Sequence, residues 1–236
     1  MSGTIEFFID GRPVHGRPGQ TILEAAEDNG VYIPRLCHMK GLTPFGGCRV
    51  CTCLVNSRAQ AACTQPIAPG MIVDNDSEAV REIRRQIIEM LFVEGNHFCM
   101  FCEKSGSCEL QALAYRFGIT APRHPYLFPR REVDATHDGV FIDHNRCVLC
   151  GRCVRASREV DGKAVFGFVG RGPERRVAVN APGGLGASEA ATTDAAMEAC
   201  PVGAILVRGR AYATPIGRRP YDHKPIGSDV EEGGTP

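Results

Sequence analysis

The N-terminal residues of the chain alternate between apolar and polar side chains. Ile5, Phe7 and Ile9 occupy every second position, which is typical of a strand with one buried face. An Asp-Gly pair at 10–11 predicts a tight turn, and residues 13–15 return as a second strand. The chain is therefore expected to begin with a hairpin.

Helical patterns follow further along the chain. Thr21 and Glu24 form a capping box that opens a short helix, and Gly30 suits its C-terminal end. A longer helix is predicted to start after a cap at residue 76 or 77 and to end at residue 95. The residues of its apolar face are Val80, Ile83, Ile87 and Leu91. Arg84 is placed outside that face, among the charged residues.

The remaining predicted elements are short. Strands are expected at 50–55, 140–142, 165–169 and 177–179. Helices are expected at 109–117 and from residue 193 or 194 to residue 199. From residue 209 onward the sequence is rich in Gly, Pro and charge. This composition predicts either a disordered tail or an arm that anchors on a neighbouring subunit.

Cysteines change the interpretation, because the chain has 12 of them in 236 residues. The last set consists of Cys147, Cys150, Cys153 and Cys200. Three cysteines at two-residue intervals followed by a distant Cys-Pro pair resemble the ferredoxin pattern for a [4Fe–4S] cluster. Structural zinc is the alternative, although zinc sites usually take two well-separated C-x2-C pairs.

The first set consists of Cys37, Cys48, Cys51 and Cys63. Loop cysteines around a strand and a helix suit a [2Fe–2S] cluster, which needs four thiolates on two irons. Zinc stays open here on spacing alone. Cys53 is left over, two residues after Cys51, and we interpret it as a small buried apolar side chain rather than as a ligand.

The middle set has three cysteines and no fourth. Its residues are Cys99, Cys102 and Cys108, with His97 as the nearest imidazole. A lone histidine is usually a polar surface residue, but the incomplete thiolate set makes His97 the candidate fourth ligand of a second [4Fe–4S] cluster. A neutral imidazole in place of a thiolate should raise the potential of that cluster.

Composition excludes several function classes. Lys and Arg together number 27, as do Asp and Glu, so the net charge is zero and no basic block predicts nucleic-acid binding. No apolar run approaches the roughly 20 residues of a membrane span. The N-terminus lacks the pattern of a signal peptide, so a cytoplasmic location is expected, and metal ligation is favoured over disulfides.

Three short motifs together resemble one known family. They are A-C-T-Q-P at 62–66, C-E-L-Q at 108–111 and C-G-R-C-V-R at 150–155. The sequence is similar over residues 1 to about 208 to the iron–sulfur module of the large subunit of respiratory NADH dehydrogenase. The same module occurs in iron-only hydrogenases, some formate dehydrogenases and the diaphorase part of NAD-reducing nickel–iron hydrogenases.

The resemblance implies an α+β fold in four parts. Residues 1–76 would form a β-grasp [2Fe–2S] ferredoxin-type domain, and residues 77–118 a small helical domain with the His/Cys3 [4Fe–4S] cluster. Residues 119–208 would form a ferredoxin-like domain with the four-Cys [4Fe–4S] cluster, and residues 209–236 an extended C-terminal tail. The family usually places its histidine four residues before the first cysteine of the middle set. That position here is Gly95, and the histidine is His97.

The length of the chain favours one branch of the family. It resembles the short diaphorase subunit of a bidirectional, NAD-reducing nickel–iron hydrogenase. The resemblance implies an electron relay without activity of its own, with FMN and NAD on a flavoprotein partner and hydrogen chemistry on nickel–iron hydrogenase small and large subunits. The alternatives are a subunit of an NAD-dependent formate dehydrogenase or NADH dehydrogenase, a zinc-stabilised scaffold, and a self-sufficient NAD(P)H oxidoreductase. No glycine motif for a nucleotide supports the last of these.

Overall fold

A five-stranded sheet begins the structure, a computed structural model that describes residues 3–210 and 212–233. The strand order is β2-β1-β5-β3-β4, and β1 pairs with β5 in parallel while the other pairs are antiparallel. The strands are β1 (Ile5–Ile9), β2 (Arg12–Gly16), β3 (Thr52–Val55), β4 (Arg58–Ala61) and β5 (Ile72–Asp74). The predicted hairpin is therefore present, and the predicted strand at 50–55 starts two residues later.

Helix α1 (Ile22–Asp28) packs on this sheet. The predicted capping box is formed: Glu24 N donates to Thr21 Oγ1 at 3.3 Å, and Thr21 N donates to a Glu24 carboxylate oxygen at 2.8 Å. Ile22 and Leu23 are buried in one core with Phe7 of β1. A helix packed on a mixed sheet of this order is the expected β-grasp unit, and the α+β class is confirmed.

Helix α2 (Glu78–Val93) begins after the predicted Ser77 cap, but its buried face differs from the prediction. Val80, Arg84 and Ile88 are buried, whereas Ile83 is only half-buried. The prediction that placed Arg84 outside the core face was wrong. The physical reason is that four hydrogen-bond acceptors inside the protein satisfy the guanidinium, so the long side chain can be buried.

The second half of the chain combines two small sheets with short helices. The bounds are α3 (Glu109–Arg116), β6 (Val133–Asp134), β7 (Val140–Asp143), α4 (Arg152–Glu159), β8 (Phe166–Val169), β9 (Arg176–Val179), α5 (Ala195–Glu198) and β10 (Ile205–Val207). One sheet has the order β10-β7-β6 and the other pairs β8 with β9. This half shares a core with the loop at 36–50, so the cysteines of the first set lie against both halves.

The C-terminal segment packs on its own chain. Arg116 of α3 donates to Ile226 O at 2.8 Å and forms an ion pair with Glu231 in the last helix, α6 (Ser228–Glu231). Ile226 and Val230 are buried. The sequence predicted a disordered tail or an arm on a neighbouring subunit, whereas in the structure this segment is ordered against its own chain. Within the part of the chain that the structure describes, no helix has the length and apolar character needed to cross a membrane.

Ile226→Ala is expected to loosen this segment. Removing a buried apolar side chain costs about 2 kcal/mol or more, which should raise the local opening of residues 219–233 about 30-fold. Hydrogen–deuterium exchange with mass spectrometry measures that opening. Ile216→Ala is the matched control, because Ile216 is 84% exposed, and it should leave exchange unchanged. Equal exchange in the two variants would contradict the docking of this segment.

Candidate metal centres

The first set is assembled by loops at one end of the β-grasp sheet. Cys37 follows α1, Cys48 and Cys51 precede β3, and Cys63 follows β4. All four are buried. The Cys37 thiol contacts those of Cys48 and Cys63, and the Cys51 thiol also contacts that of Cys63. Hydrogen bonds from the Cys48 and Cys63 thiols lower the pKa of the Cys37 thiol. The four side chains therefore converge on one place.

Cys53 lies outside this group, on β3. Its Sγ is 3.7 Å from Cys51 O, 3.7 Å from Asn75 Oδ1 and 3.2 Å from Arg84 Nη2. The side chain is completely buried. Burial raises the pKa of this thiol to about 12. Its neighbours are therefore backbone and polar side-chain atoms.

The middle set lines one small cavity together with His97. Cys99 lies in a 3-10 turn, Cys102 follows that turn, and Cys108 precedes α3. His97 Nε2 is buried and has no hydrogen-bond partner among the described residues. Burial lowers the pKa of His97 to about 4, and the ring hydrogen-bonds to the backbone of Leu91. A neutral imidazole with one ring nitrogen held and the other free is what a metal-binding histidine presents.

Two glycines make room for this cavity. A Cβ at Gly95 would lie 2.5 Å from His97 Nε2, and a Cβ at Gly203 would lie 2.6 Å from Cys102 Sγ. Both distances are too short for a side chain. Gly95 stands where the family usually has its histidine, and here it leaves the space that the ring of His97 occupies. The shorter spacing between His97 and Cys99 therefore occurs together with a glycine at position 95 that makes room for the ring.

The cysteines of the last set lie in the loop before α4, in α4 itself and just after α5. Leu149 and Gly151 have positive φ angles of 53° and 69°, which turn the loop tightly before α4. Cys200 follows α5 and reaches the same region. Burial and, as the smaller cause, the nearby Cys200 raise the pKa of the Cys150 thiol to about 12. Such thiols ionise only beside a strong cation.

Arginine side chains connect the three sets. Arg152 donates to His38 O at 2.8 Å and to both carboxylate oxygens of Glu109 at 2.5 and 2.7 Å. His38 follows Cys37, and Glu109 follows Cys108. Arg152 itself lies between two cysteines of the last set. One guanidinium therefore contacts residues next to all three sets.

Two further arginines each connect a pair of sets. Arg155 Nη2 donates to Cys37 O at 2.5 Å and to Cys150 O at 3.4 Å. Arg146 Nη1 lies 3.8 Å from Cys102 Sγ, and Arg146 directly precedes Cys147. The sequence pattern predicted no role for these arginines. The signal available was their position inside or beside the cysteine motif at 147–153.

Three family models match consecutive parts of the chain. The 2Fe-2S iron-sulfur cluster binding domain matches residues 2–78, and the NADH-ubiquinone oxidoreductase-G iron-sulfur binding region matches residues 84–123. The ferredoxin-like domain of NADH-quinone oxidoreductase subunit 3 matches residues 138–206. These matches confirm the predicted cofactors, one [2Fe–2S] and two [4Fe–4S] clusters.

Comparison over the full length decides the family. The chain is 40% identical to the gamma subunit of the NAD-reducing hydrogenase HoxS of Cupriavidus necator, over 98% of each protein. The chain belongs to this family of hydrogenase gamma subunits. A chain in the crystal structure of an NAD+-reducing [NiFe]-hydrogenase in the H2-reduced state is 44% identical, with a TM-score of 0.93. That match covers 99% of this chain and 100% of the other.

Larger relatives share only this module. The chain is 32% identical to the mitochondrial 78 kDa subunit of NADH-ubiquinone oxidoreductase of Candida albicans, over 93% of its own length and 30% of that subunit. It is 33% identical to the alpha subunit of the NADPH-Fe(3+) oxidoreductase of Geobacter sulfurreducens, over 71% of its own length and 20% of that subunit. The gamma-subunit family thus corresponds to one segment of these longer proteins.

Gly95→Ala is expected to displace the His97 ring in this gamma subunit, because the new methyl group would lie 2.5 Å from Nε2. The electron paramagnetic resonance signal of the middle cluster should be altered or lost, while the other two signals persist. Gly3→Ala is the control, since its methyl group would meet nothing within 4 Å. His97→Ala should reproduce the effect. Unchanged spectra in both variants would show that His97 does not bind the cluster.

Proposed function

We propose that the chain is the electron-transfer subunit of an NAD-reducing nickel–iron hydrogenase. It would connect a flavoprotein that binds FMN and NAD with hydrogenase small and large subunits. The observation that supports this most is the set of arginine contacts joining three cysteine sets within one short chain. Identity of 40% to a hydrogenase gamma subunit, against 32% to a respiratory subunit, favours the hydrogenase over the NADH dehydrogenase alternative.

We propose the same ligands, and the same division of the chain into four parts, as the sequence predicts. The [2Fe–2S] cluster would be held by Cys37, Cys48, Cys51 and Cys63. One [4Fe–4S] cluster would be held by His97, Cys99, Cys102 and Cys108, and the other by Cys147, Cys150, Cys153 and Cys200. Convergence of the thiols in the first set and the unpartnered Nε2 of His97 support these assignments.

Bound clusters would supply one-electron transfer. The protein would keep water away from the clusters and hold them at fixed distances from one another. The surroundings of the cysteines largely exclude water, since nine of the twelve are buried. Arg146, Arg152 and Arg155 fix the distances between the sets by donating to backbone and side-chain acceptors of the other sets. No side chain of this chain is assigned a proton-transfer or nucleophilic role.

An exposed apolar turn supports membership of a complex. Phe98, Met100 and Phe101 surround Cys99 and are 61%, 86% and 73% exposed. Three large apolar side chains in four residues are rare on a free surface and typically mark a contact with another protein. The twelve free cysteines are typical of a reducing compartment, so we also propose a cytoplasmic location.

The isolated chain, loaded with its clusters, is expected to be reduced by dithionite but not by NADH. NAD exchanges a hydride, and the clusters take single electrons, so a flavin on a partner must divide the pair. Visible absorption under anaerobic conditions measures the reduction. Adding the flavoprotein subunit should allow NADH to bleach the clusters. Bleaching by NADH of the flavin-free chain alone would refute the relay.

A further inference from the structure

Arg84 is a buried cation whose hydrogen-bond acceptors are all uncharged. It is only 1% exposed, in the middle of α2. Nε donates to Thr52 O at 3.0 Å, and Nη1 donates to Asn75 O at 2.7 Å. Nη2 donates to Asn75 Oδ1 at 2.8 Å and to Cys53 Sγ at 3.2 Å. The guanidinium is therefore well oriented but not neutralised by these contacts.

The acidic residues nearby have other partners. Asp10 Oδ1 accepts from the backbone N–H groups of Asn75 and Asp76, and Asp76 pairs with Arg81. Among residues 3–210 and 212–233, no carboxylate oxygen lies within 4.0 Å of the Arg84 guanidinium. A buried charge without a direct ion pair is unfavourable, so a further anion close by would stabilise it.

The first set lies one strand residue away. Thr52, whose carbonyl accepts from Arg84, directly follows Cys51 in the chain. Cys53, which also accepts from Arg84, lies 3.7 Å from the carbonyl oxygen of Cys51. The guanidinium thus binds the two residues that directly follow Cys51 of the first set. Four thiolates on two irons give a cluster with net negative charge, and reduction adds one more negative charge.

We propose that Arg84 is the buried counter-cation of the [2Fe–2S] cluster and thereby raises its reduction potential. The inference rests on the proposed function, because it needs the first set as ligands of that cluster. A fixed positive charge stabilises the reduced cluster more than the oxidised one, since the reduced form carries the extra electron. Arg84 would act through the field at the cluster without binding iron, which makes it a positioning and tuning residue.

Asn75→Asp tests the charge without removing the arginine. Asn75 Oδ1 already accepts from Arg84 Nη2, so a carboxylate of the same shape would neutralise the guanidinium in place. The reduced-to-oxidised ratio of the [2Fe–2S] cluster at a fixed potential should fall by on the order of tenfold. For a one-electron couple this corresponds to a potential lowered by about 59 mV. The two [4Fe–4S] clusters should titrate as before.

The measurement is an anaerobic redox titration of the full chain, followed by electron paramagnetic resonance. Asn56→Asp is the matched control, because it adds the same charge in the same sheet at the exposed turn after β3. Water and salt screen that position, so its ratio should change less than about twofold. Arg84→Lys should retain most of the potential, and Arg84→Met should lower it.

The outcomes separate a charge effect from a structural one. A normal [2Fe–2S] signal with an unshifted potential in Asn75→Asp would overturn the inference, as would equal falls in Arg84→Lys and Arg84→Met. If Arg84→Met loses the cluster, Asn75→Asp and Arg84→Lys still decide. Absence of the signal from the unmodified chain would refute the proposed ligand set and this inference together, whereas an unshifted potential refutes the inference alone.

Discussion

The contact of Arg152 with Glu109 and His38 is the interaction on which the arrangement of the sites depends. Arg152 belongs to the last set and is 5% exposed, and its two partners directly follow cysteines of the other two sets. Breaking a buried pair of this kind costs several kcal/mol, because the remaining charge stays buried without compensation. The spacing between the three sets is therefore maintained by a strong, directional contact rather than by loop conformation.

Burial of the cysteines imposes the second constraint. Burial raises the pKa of Cys108 and of Cys150 to about 12, so an apolar surrounding alone keeps these thiols protonated. Iron supplies the positive charge that thiolates need, and metal binding of this kind contributes directly to folding free energy. Arginines complete the balance near the sites. The buried cysteines therefore belong to both apolar cores of the protein.

Local patterns in the sequence predicted the local structure well. The Thr21–Glu24 capping box, the hairpin at the N-terminus and the helix after Ser77 follow from interactions between residues close in sequence. The three cysteine sets were grouped from spacing alone, because metal ligation restricts spacing strongly. The structure brings the thiols of the first set together and places His97 with those of the middle set in one cavity.

Long-range contacts could not be predicted in the same way. Arg84 was predicted to lie at the surface because it is charged. Hydrogen-bond acceptors from β3 and from Asn75 nevertheless make its burial favourable. The C-terminal segment has a composition typical of disorder, yet the burial of Ile226 and Val230 and the hydrogen bonds to Arg116 and residues 105–106 order it. Gly95 leaves space for the ring of His97, two residues further along the chain. The spacing of the cysteines alone does not predict this arrangement.

Metal analysis of the anaerobically purified chain tests the central claim most directly, since that claim is three clusters on twelve ligands. One [2Fe–2S] and two [4Fe–4S] clusters require about 10 irons and about 10 acid-labile sulfides per chain. Zinc should be present only in traces. A stable value of about 6 irons would mean that one of the two [4Fe–4S] sites is not formed, and stoichiometric zinc without sulfide would contradict the account.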